Sequence, residues 1–432
     1  MPNRVIAHNG GRWGVAALIA IVLLGLGLRV GEAWDGRAPV YDAAAYAAIA
    51  RNLDQGNGFT VGAGATQPSS DYSPGLPLFV AGVYRVTGGI HERLARLVLA
   101  LIGALAVLFT YLIARRLSPR HGVIAGLVGA LVVAIYPATI QYTGMLMTEP
   151  PAATLLAGAV LAIFWAADGV APWRWAVPGL TLGALALVRP EYLAIGALLA
   201  LLVFLRQRLY DDWRQALLAA AVIVLGIVVV VAPWTVRNAV VLHRFVSVST
   251  GGGQVLYAGT YLPSDGNPEA VGAAVVAEHP QLFGPHAVEN LRLEQILARL
   301  GESRYPELEP DQALSKMGKE QLRDDVEHHP GEYAEFVATK IGRIWSHGPR
   351  AVMREPLWEA LHWALLGLAL IGLGLLLYLR RWEALLIAAV FLAITLISAL
   401  LVASPRRVLV LIPLLAACAG TATVWIAAPR KS

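Results

Sequence analysis

Apolar residues run in long unbroken stretches along this chain, and polar residues collect between the stretches rather than alternating within them. Segments such as 217–231 and 365–379 have no polar face to turn toward water, so their solvent is lipid. A helix needs about 20 apolar residues to cross the hydrocarbon core. The pattern predicts ten spans, at roughly 13–30, 94–114, 122–140, 149–167, 175–188, 190–205, 215–234, 358–379, 384–403 and 407–428. The fifth and sixth meet at Arg189-Pro190-Glu191, where proline ends the preceding helical run and predicts a tight turn. Segment 74–88 is too short to cross and holds Pro74, Gly75, Pro77 and Arg85, which predicts a helix at the interface. Arg4 and Arg12 precede the first apolar run as in a signal peptide, but the length of that run and the nine further spans predict an uncleaved helix.

Composition agrees: of 432 residues, 57% are hydrophobic and only 15% charged, which excludes an ordinary soluble enzyme and a disordered chain. The lone Cys418 sits in an apolar run, so no disulfide can form within the chain. The net charge of +5 matters less than its distribution. Placing both termini in the cytoplasm gathers Arg4, Arg12, Arg115, Arg116, Arg120, Arg174, Arg206, Arg208, Arg214, Arg380, Arg381, Arg430 and Lys431 on one side, against Asp168, Asp211, Asp212 and Glu383. That orientation, with short basic loops and little cysteine, predicts a bacterial inner membrane protein.

Two long segments then face the other side. One is the first loop, 31–92, where Arg37, Arg51 and Arg85 are outnumbered by acids; the other is 236–357, long enough for a small domain. Within the latter, β-branched and aromatic residues around Gly251-Gly252-Gly253 predict a strand, turn and strand over 244–262, and 288–300 and 311–345 are helix-like. The expected fold is an all-α polytopic membrane protein with a small mixed α/β extracytoplasmic domain. Its parts are a transmembrane module (1–235), the extracytoplasmic domain (236–357) and a second transmembrane module (358–432).

Ionisable residues beside apolar spans carry the chemistry of a membrane protein. Asp42, Glu149, Arg189, Glu191, Arg237, Arg406 and Arg407 all fall at the extracytoplasmic ends of predicted spans. Arginines there run against the topological bias. Each either snorkels or neutralises a neighbouring acid, or holds a phosphate with its planar fork of donors. Asp42 opens a stretch in which Tyr46, Ile49 and Leu53 share a helical face. It is either a helix cap or a general base for an attacking hydroxyl, a role worth about 10²–10⁴ in rate, and Asp35 and Asp71 compete with it. His328-His329 and His347 lack metal-ligand spacing, and no Gly-Lys-Ser/Thr follows the three glycines. Basic residues lie in loops rather than along one face, which argues against nucleic acid binding. A secondary transporter would place its charges near the midplane, often within repeats, and neither feature is present here.

The order of these features resembles the GT-C glycosyltransferases, in the branch that includes protein O-mannosyltransferases and the bacterial aminoarabinose transferase of lipid A. The matching pieces are Tyr41-Asp42 with Tyr46 and Asn52-Leu53, Tyr72-Ser73-Pro74-Gly75-Leu76-Pro77-Leu78, Thr148-Glu149-Pro150, and Leu187-Val188-Arg189-Pro190. Pro233-Trp234-Thr235-Val236-Arg237-Asn238 is the most specific of them, and His329-Pro330, Lys340, Trp345 and Arg406-Arg407 follow. The resemblance implies transfer of a sugar, with inversion, from a polyprenyl-phosphate donor to a hydroxyl of a glycan, lipid or protein on the extracytoplasmic side. Carried over by position, Asp42 is the base, Glu149 shapes the cavity, and Arg237, Arg406, Arg407 and Arg189 hold the donor phosphate. Tyr41, Tyr46, Tyr72 and Asn238 line the substrate cavity. Many relatives have a second acid where this chain has Ala43, so a divalent metal is possible but unsupported. A polyprenyl-linked glycan flippase or ligase handles the same donors and is the nearest alternative.

Overall fold

The computed structural model describes residues 11–36, 38–62, 64–210, 212–267, 269–284, 286–346 and 348–427. Arg4, Arg37, Asp211, His347, Arg430 and Lys431 lie outside the described residues. The chain divides into two compact units, one of Met1–Val248, Arg350–Phe391 and Leu409–Ser432, the other of Ser249–Pro349 and Leu392–Val408.

Helices of the first unit follow the apolar runs. They are α1 (Gly11–Asp35), α2 (Asp42–Asp54), α3 (Gly75–Thr87), α4 (Glu92–Leu117), α5 (Gly122–Ile135), α6 (Pro137–Thr143), α7 (Glu149–Ala167), α8 (Ala176–Val188), α9 (Tyr192–Tyr210) and α10 (Trp213–Leu242). The second unit holds α11 (Gly252–Thr260), α12 (Val271–Glu278), α13 (Ala287–Asn290), α14 (Leu293–Arg304), α15 (Pro310–His328) and α16 (Pro330–Ser346). After it come α17 (Pro356–Tyr378), α18 (Trp382–Leu400) and α19 (Arg406–Ala427).

Among the described residues, eight helices are long and apolar enough to cross a membrane: α1, α4, α7, α9, α10, α17, α18 and α19. The pair α5–α6, bent by 53° at Tyr136, makes a ninth if counted as one span. The sequence predicted ten. The difference lies at 175–188, where a single 3-10 turn, Pro172–Trp175, precedes the 13-residue α8. At 1.5 Å per residue α8 covers roughly 20 Å, short of a hydrocarbon core of about 30 Å. It packs instead along α10, where a Cβ on Gly226 would lie 2.9 Å from the Gly179 Cα. Small residues at this crossing let two backbones meet where lipid offers no hydrophobic drive.

The expected strands over 244–262 are absent. Residues 252–260 form α11, and among the described residues the one β-type pairing is an isolated bridge between Thr60 and Pro68. Burial does not decide the local structure here; partners for the backbone do. The carbonyls of Val246, Ser247 and Val248 are taken by side chains of α10, leaving no row of groups for a partner strand. α11 starts at Gly251, whose φ of 90° suits glycine, and Asp311 caps it by accepting from the amides of Gly253 and Gln254 at 2.9 and 3.2 Å. The second unit is therefore helical, with Tyr257, Val271, Val275, Ile296, Leu297, Leu300 and Leu314 in its core.

Candidate functional site

Glu149 and Arg189 come together in the first unit. Glu149 is the first residue of α7, only 2% exposed, and Pro150 follows it, so the helix N-terminus favours its carboxylate while offering fewer amides to satisfy. Arg189 ends α8 in extended backbone; its NH1 lies 3.7 Å from Glu149 Oε1 and its Nε donates to Glu191 Oε1 at 3.0 Å. The turn predicted at Arg189-Pro190-Glu191 thus aims one half-buried guanidinium at two carboxylates.

The first loop is seated on that turn. Gly75 opens α3, and a Cβ there would lie 2.8 Å from the Val188 amide nitrogen, so only glycine lets the two backbones meet. Three residues earlier, Tyr72 packs edge-on against Tyr46 of α2, with ring centroids 5.4 Å apart. Asp42 is the first residue of α2, one helical turn before Tyr46, and Tyr41 holds the N-cap position. Tyr41 before it is 87% exposed with φ 51°. The Tyr46–Tyr72 ring contact, the chain from Tyr72 to Gly75 and the Gly75–Val188 approach thus join the helix of Asp42 to the turn that carries Arg189.

The polar side chains of the Trp234–Asn238 motif bind irregular backbone. Arg237 NH1 donates to Ser69 O at 2.8 Å and to Asn238 Oδ1 at 3.0 Å, and NH2 donates to Phe59 O at 3.3 Å. Its guanidinium also faces the Trp234 and Phe59 rings, 4.8 and 5.6 Å from their centroids. Trp234 Nε1 and the Thr235 hydroxyl donate to Val248 O and Ser247 O, both at 2.7 Å, and the fully buried Asn238 donates to Val246 O and Val248 O. Each polar side chain of the motif thus pairs irregular backbone that has no ladder of its own. Within the loop Asn52 does the same, donating to Thr60 O, Thr60 Oγ1 and Gly62 O.

Arg29, which lies unremarked inside the first predicted span, is 2% exposed and holds the break between α5 and α6. It donates to Val133 O, Ala134 O, Gly25 O and Thr139 Oγ1 at 2.9 to 3.1 Å. Pro137 ends α5 and leaves its last carbonyls without amides, and Arg29 supplies the donors. A charge inside an apolar run followed by a proline in a later span was the available signal. Arg29, Thr139, Glu149 and Pro413 line a small cavity of ≈ 20 Å³, about the room of one water.

Arg406 and Arg407 fall in the second unit. Arg407 is 7% exposed and donates to Val402 O. Nearby Lys340, 1% exposed, donates to Gly259 O and, at 2.6 Å, to Ala399 O. Burial, then the charge of Arg407, pull its ammonium down to about 7. Among the described residues no three His, Cys, Asp or Glu side chains gather where they could hold a metal ion, and Ala43 beside Asp42 adds no ligand. The residues present do not fit a divalent metal at Asp42.

Residues 71–234 match the model of the dolichyl-phosphate-mannose-protein mannosyltransferase family. The oligosaccharyltransferase of Archaeoglobus fulgidus in its apo form has the same fold, with TM-score 0.59 and 14% identity over 98% of this chain and 51% of that one. The archaeal oligosaccharyltransferase AglB of A. fulgidus, in complex with an inhibitory peptide and a dolichol-phosphate, gives TM-score 0.55 and 15% identity over 97% of this chain and 51% of that one. This chain therefore spans about half the length of the oligosaccharyltransferases it matches. ArnT from Cupriavidus metallidurans, bound to undecaprenyl phosphate, gives TM-score 0.42 at 14% identity over 96% of this chain and 78% of that one, too low to bear on the fold. No curated protein matches the chain in sequence. The fold is the one these archaeal oligosaccharyltransferases share. Residues 71–234, which hold the loop entry, Glu149, Arg189 and Trp234, carry the mannosyltransferase sequence pattern within it.

Proposed function

We propose that this protein is an integral membrane glycosyltransferase that moves one sugar from a polyprenyl-phosphate donor to a hydroxyl of a glycan, lipid or protein on the extracytoplasmic side. The observation that carries the proposal is the link from the helix of Asp42, through the Tyr46–Tyr72 contact and the Gly75–Val188 approach, to the Arg189–Glu149 pair. A polyprenyl phosphate keeps its tail in lipid and its phosphodiester at the interface, the depth at which span ends gather these charges. AglB, which shares the fold, was solved with a dolichol-phosphate, a ligand of that chemistry.

In this reading the acceptor oxygen attacks the anomeric carbon from the face opposite the phosphate. The new C–O bond forms as the sugar–phosphate bond breaks, its electron pair leaving on the phosphate, and the hydroxyl proton passes to the Asp42 carboxylate. The sugar inverts. Arg189 stabilises negative charge building on the leaving phosphate, with Glu149 fixing its guanidinium. Arg237 spends three of its five N–H donors on Ser69, Phe59 and Asn238, and turns the other two to the donor. Arg406 and Arg407 keep the phosphate role that the resemblance implies. Tyr41, Tyr46, Tyr72 and Asn238 bound the cavity. The N- and C-termini are cytoplasmic, in a bacterial inner membrane.

The test supplies purified protein in liposomes with a radiolabelled polyprenyl-phosphate monosaccharide and a mixture of envelope acceptors. Label in a product carrying one added sugar supports the proposal. Donor moved between leaflets without transfer would replace it with a flippase.

A further inference from the structure

In the second unit one buried ammonium stands where two helices end. The last turns of α11 and α18 leave carbonyls that no amide of their own helix can reach. Lys340, on α16, gives one N–H to Gly259 O in the last turn of α11 and another, at 2.6 Å, to Ala399 O in the last turn of α18. Each helix end carries roughly half an elementary negative charge, so the two together offset part of the cost of burying a cation. Phe336, one turn earlier on α16, adds its ring, with the centroid 5.0 Å from the ammonium.

The two helices so tied enclose a short connector, 401–405, between α18 and α19. Connector, α11 and α16 all belong to the second unit. Val402 N donates to Val255 O of α11 at 3.1 Å, and Arg407 donates to Val402 O. The backbones lie so close that a Cβ on Gly259 would fall 2.3 Å from the carbonyl carbon of Leu401 and 2.5 Å from Val402 N. Arg406 and Arg407 open α19 directly after the connector, and the amides of Arg407 and Val408 bond back to Ser404 O and Pro405 O at 3.0 and 3.1 Å. The path of the connector therefore sets the direction of the first turn of α19.

We infer that Lys340 is a positioning residue: by tying the end of α18 to α11 it fixes the connector, and through it the guanidinium groups of Arg406 and Arg407, for a polyprenyl phosphate. The inference deepens the proposed function and rests on its assignment of that arginine pair to the donor phosphate. Lys340, 1% exposed and committed to two carbonyls, acts through backbone and not by contact with the lipid.

The full chain in detergent is compared by hydrogen exchange and by affinity for undecaprenyl phosphate. Lys340→Met, of similar length and without donors, should speed exchange of a peptide covering 401–408 and weaken the lipid, each about tenfold, the worth of one charge-assisted bond. A peptide covering 293–300, which holds Ile296, Leu297 and Leu300 of the unit's core, should exchange as in wild type. Lys340→Gln keeps two N–H donors without the charge and should recover part of both losses. Gly259→Ala parts the same two backbones with Lys340 in place; it should reproduce both effects, and it decides the matter if Lys340→Met also loosens 293–300. Arg406→Gln should weaken the lipid without speeding exchange of 401–408. Lipid loss in Arg406→Gln with none in Lys340→Met or Gly259→Ala would overturn this inference alone. Equal losses in Lys340→Gln and Lys340→Met would trace the effect to packing and overturn it as well. Unchanged lipid affinity in Arg406→Gln would overturn the phosphate role of the pair, and this inference with it.

Discussion

Gly75 meets Val188 backbone to backbone, so the entry to α3 and the turn that aims Arg189 at Glu149 share one interface. Gly75→Ala forces a methyl group to within 2.9 Å of the Leu187 and Val188 backbone, which cannot yield as a flexible side chain can. Overpacking of this kind costs about 1–3 kcal/mol. The expected outcome is a lower thermal midpoint in detergent together with reduced transfer. Gly82, whose added Cβ meets nothing within 4 Å, is the control, and Gly82→Ala should leave both unchanged.

Arg29→Leu should destabilise the protein strongly. It leaves Val133 O and Ala134 O buried without donors, at about 1–3 kcal/mol each. Arg29→Lys, a point charge without the fork, should recover part of the loss. Unfolding followed by tryptophan fluorescence in detergent checks both, and an Arg29→Leu midpoint equal to wild type would contradict the role given to Arg29.

Lys340 predicts a pH dependence with a definite sign. Its ammonium is held at about 7 in the folded protein against 10.5 in the open chain, so between those values the unfolded state binds more protons. Stability should therefore rise as pH increases from 7 toward 10.5 and be lowest below 7. Lys340→Met, which carries no proton, should flatten this part of the midpoint-against-pH curve. A variant curve that rises as steeply as wild type would assign the slope to another group.

Much of this was legible in the sequence. Unbroken apolar runs reveal helices suited to lipid because nothing else can solvate them, and the helix opening at Asp42, the short helix at 75–87 and the Arg-Pro turn all follow from periodicity and proline. Glu149 and Arg189 could be paired because both sit at span ends on one side. Three things were hidden for physical reasons. Val246 and Val248 look like strand residues, yet side chains eight to fourteen residues earlier satisfy their carbonyls, a fact that local propensity does not contain. Arg237 looks like an anion site, and two of its donors also pin Phe59 O and Ser69 O, far away in sequence. Arg29 is one charge in an apolar run, and its purpose shows only when Val133 and Ala134 are placed beside it.

The central claim is that Asp42 takes the acceptor's proton. Sugar transfer from a labelled polyprenyl-phosphate donor, measured for wild type and Asp42→Asn in the same liposomes, tests it most directly. Wild type should turn over, and Asp42→Asn should lose about 10²–10⁴ of that rate while still binding the donor lipid. Turnover by Asp42→Asn close to wild type would contradict the account.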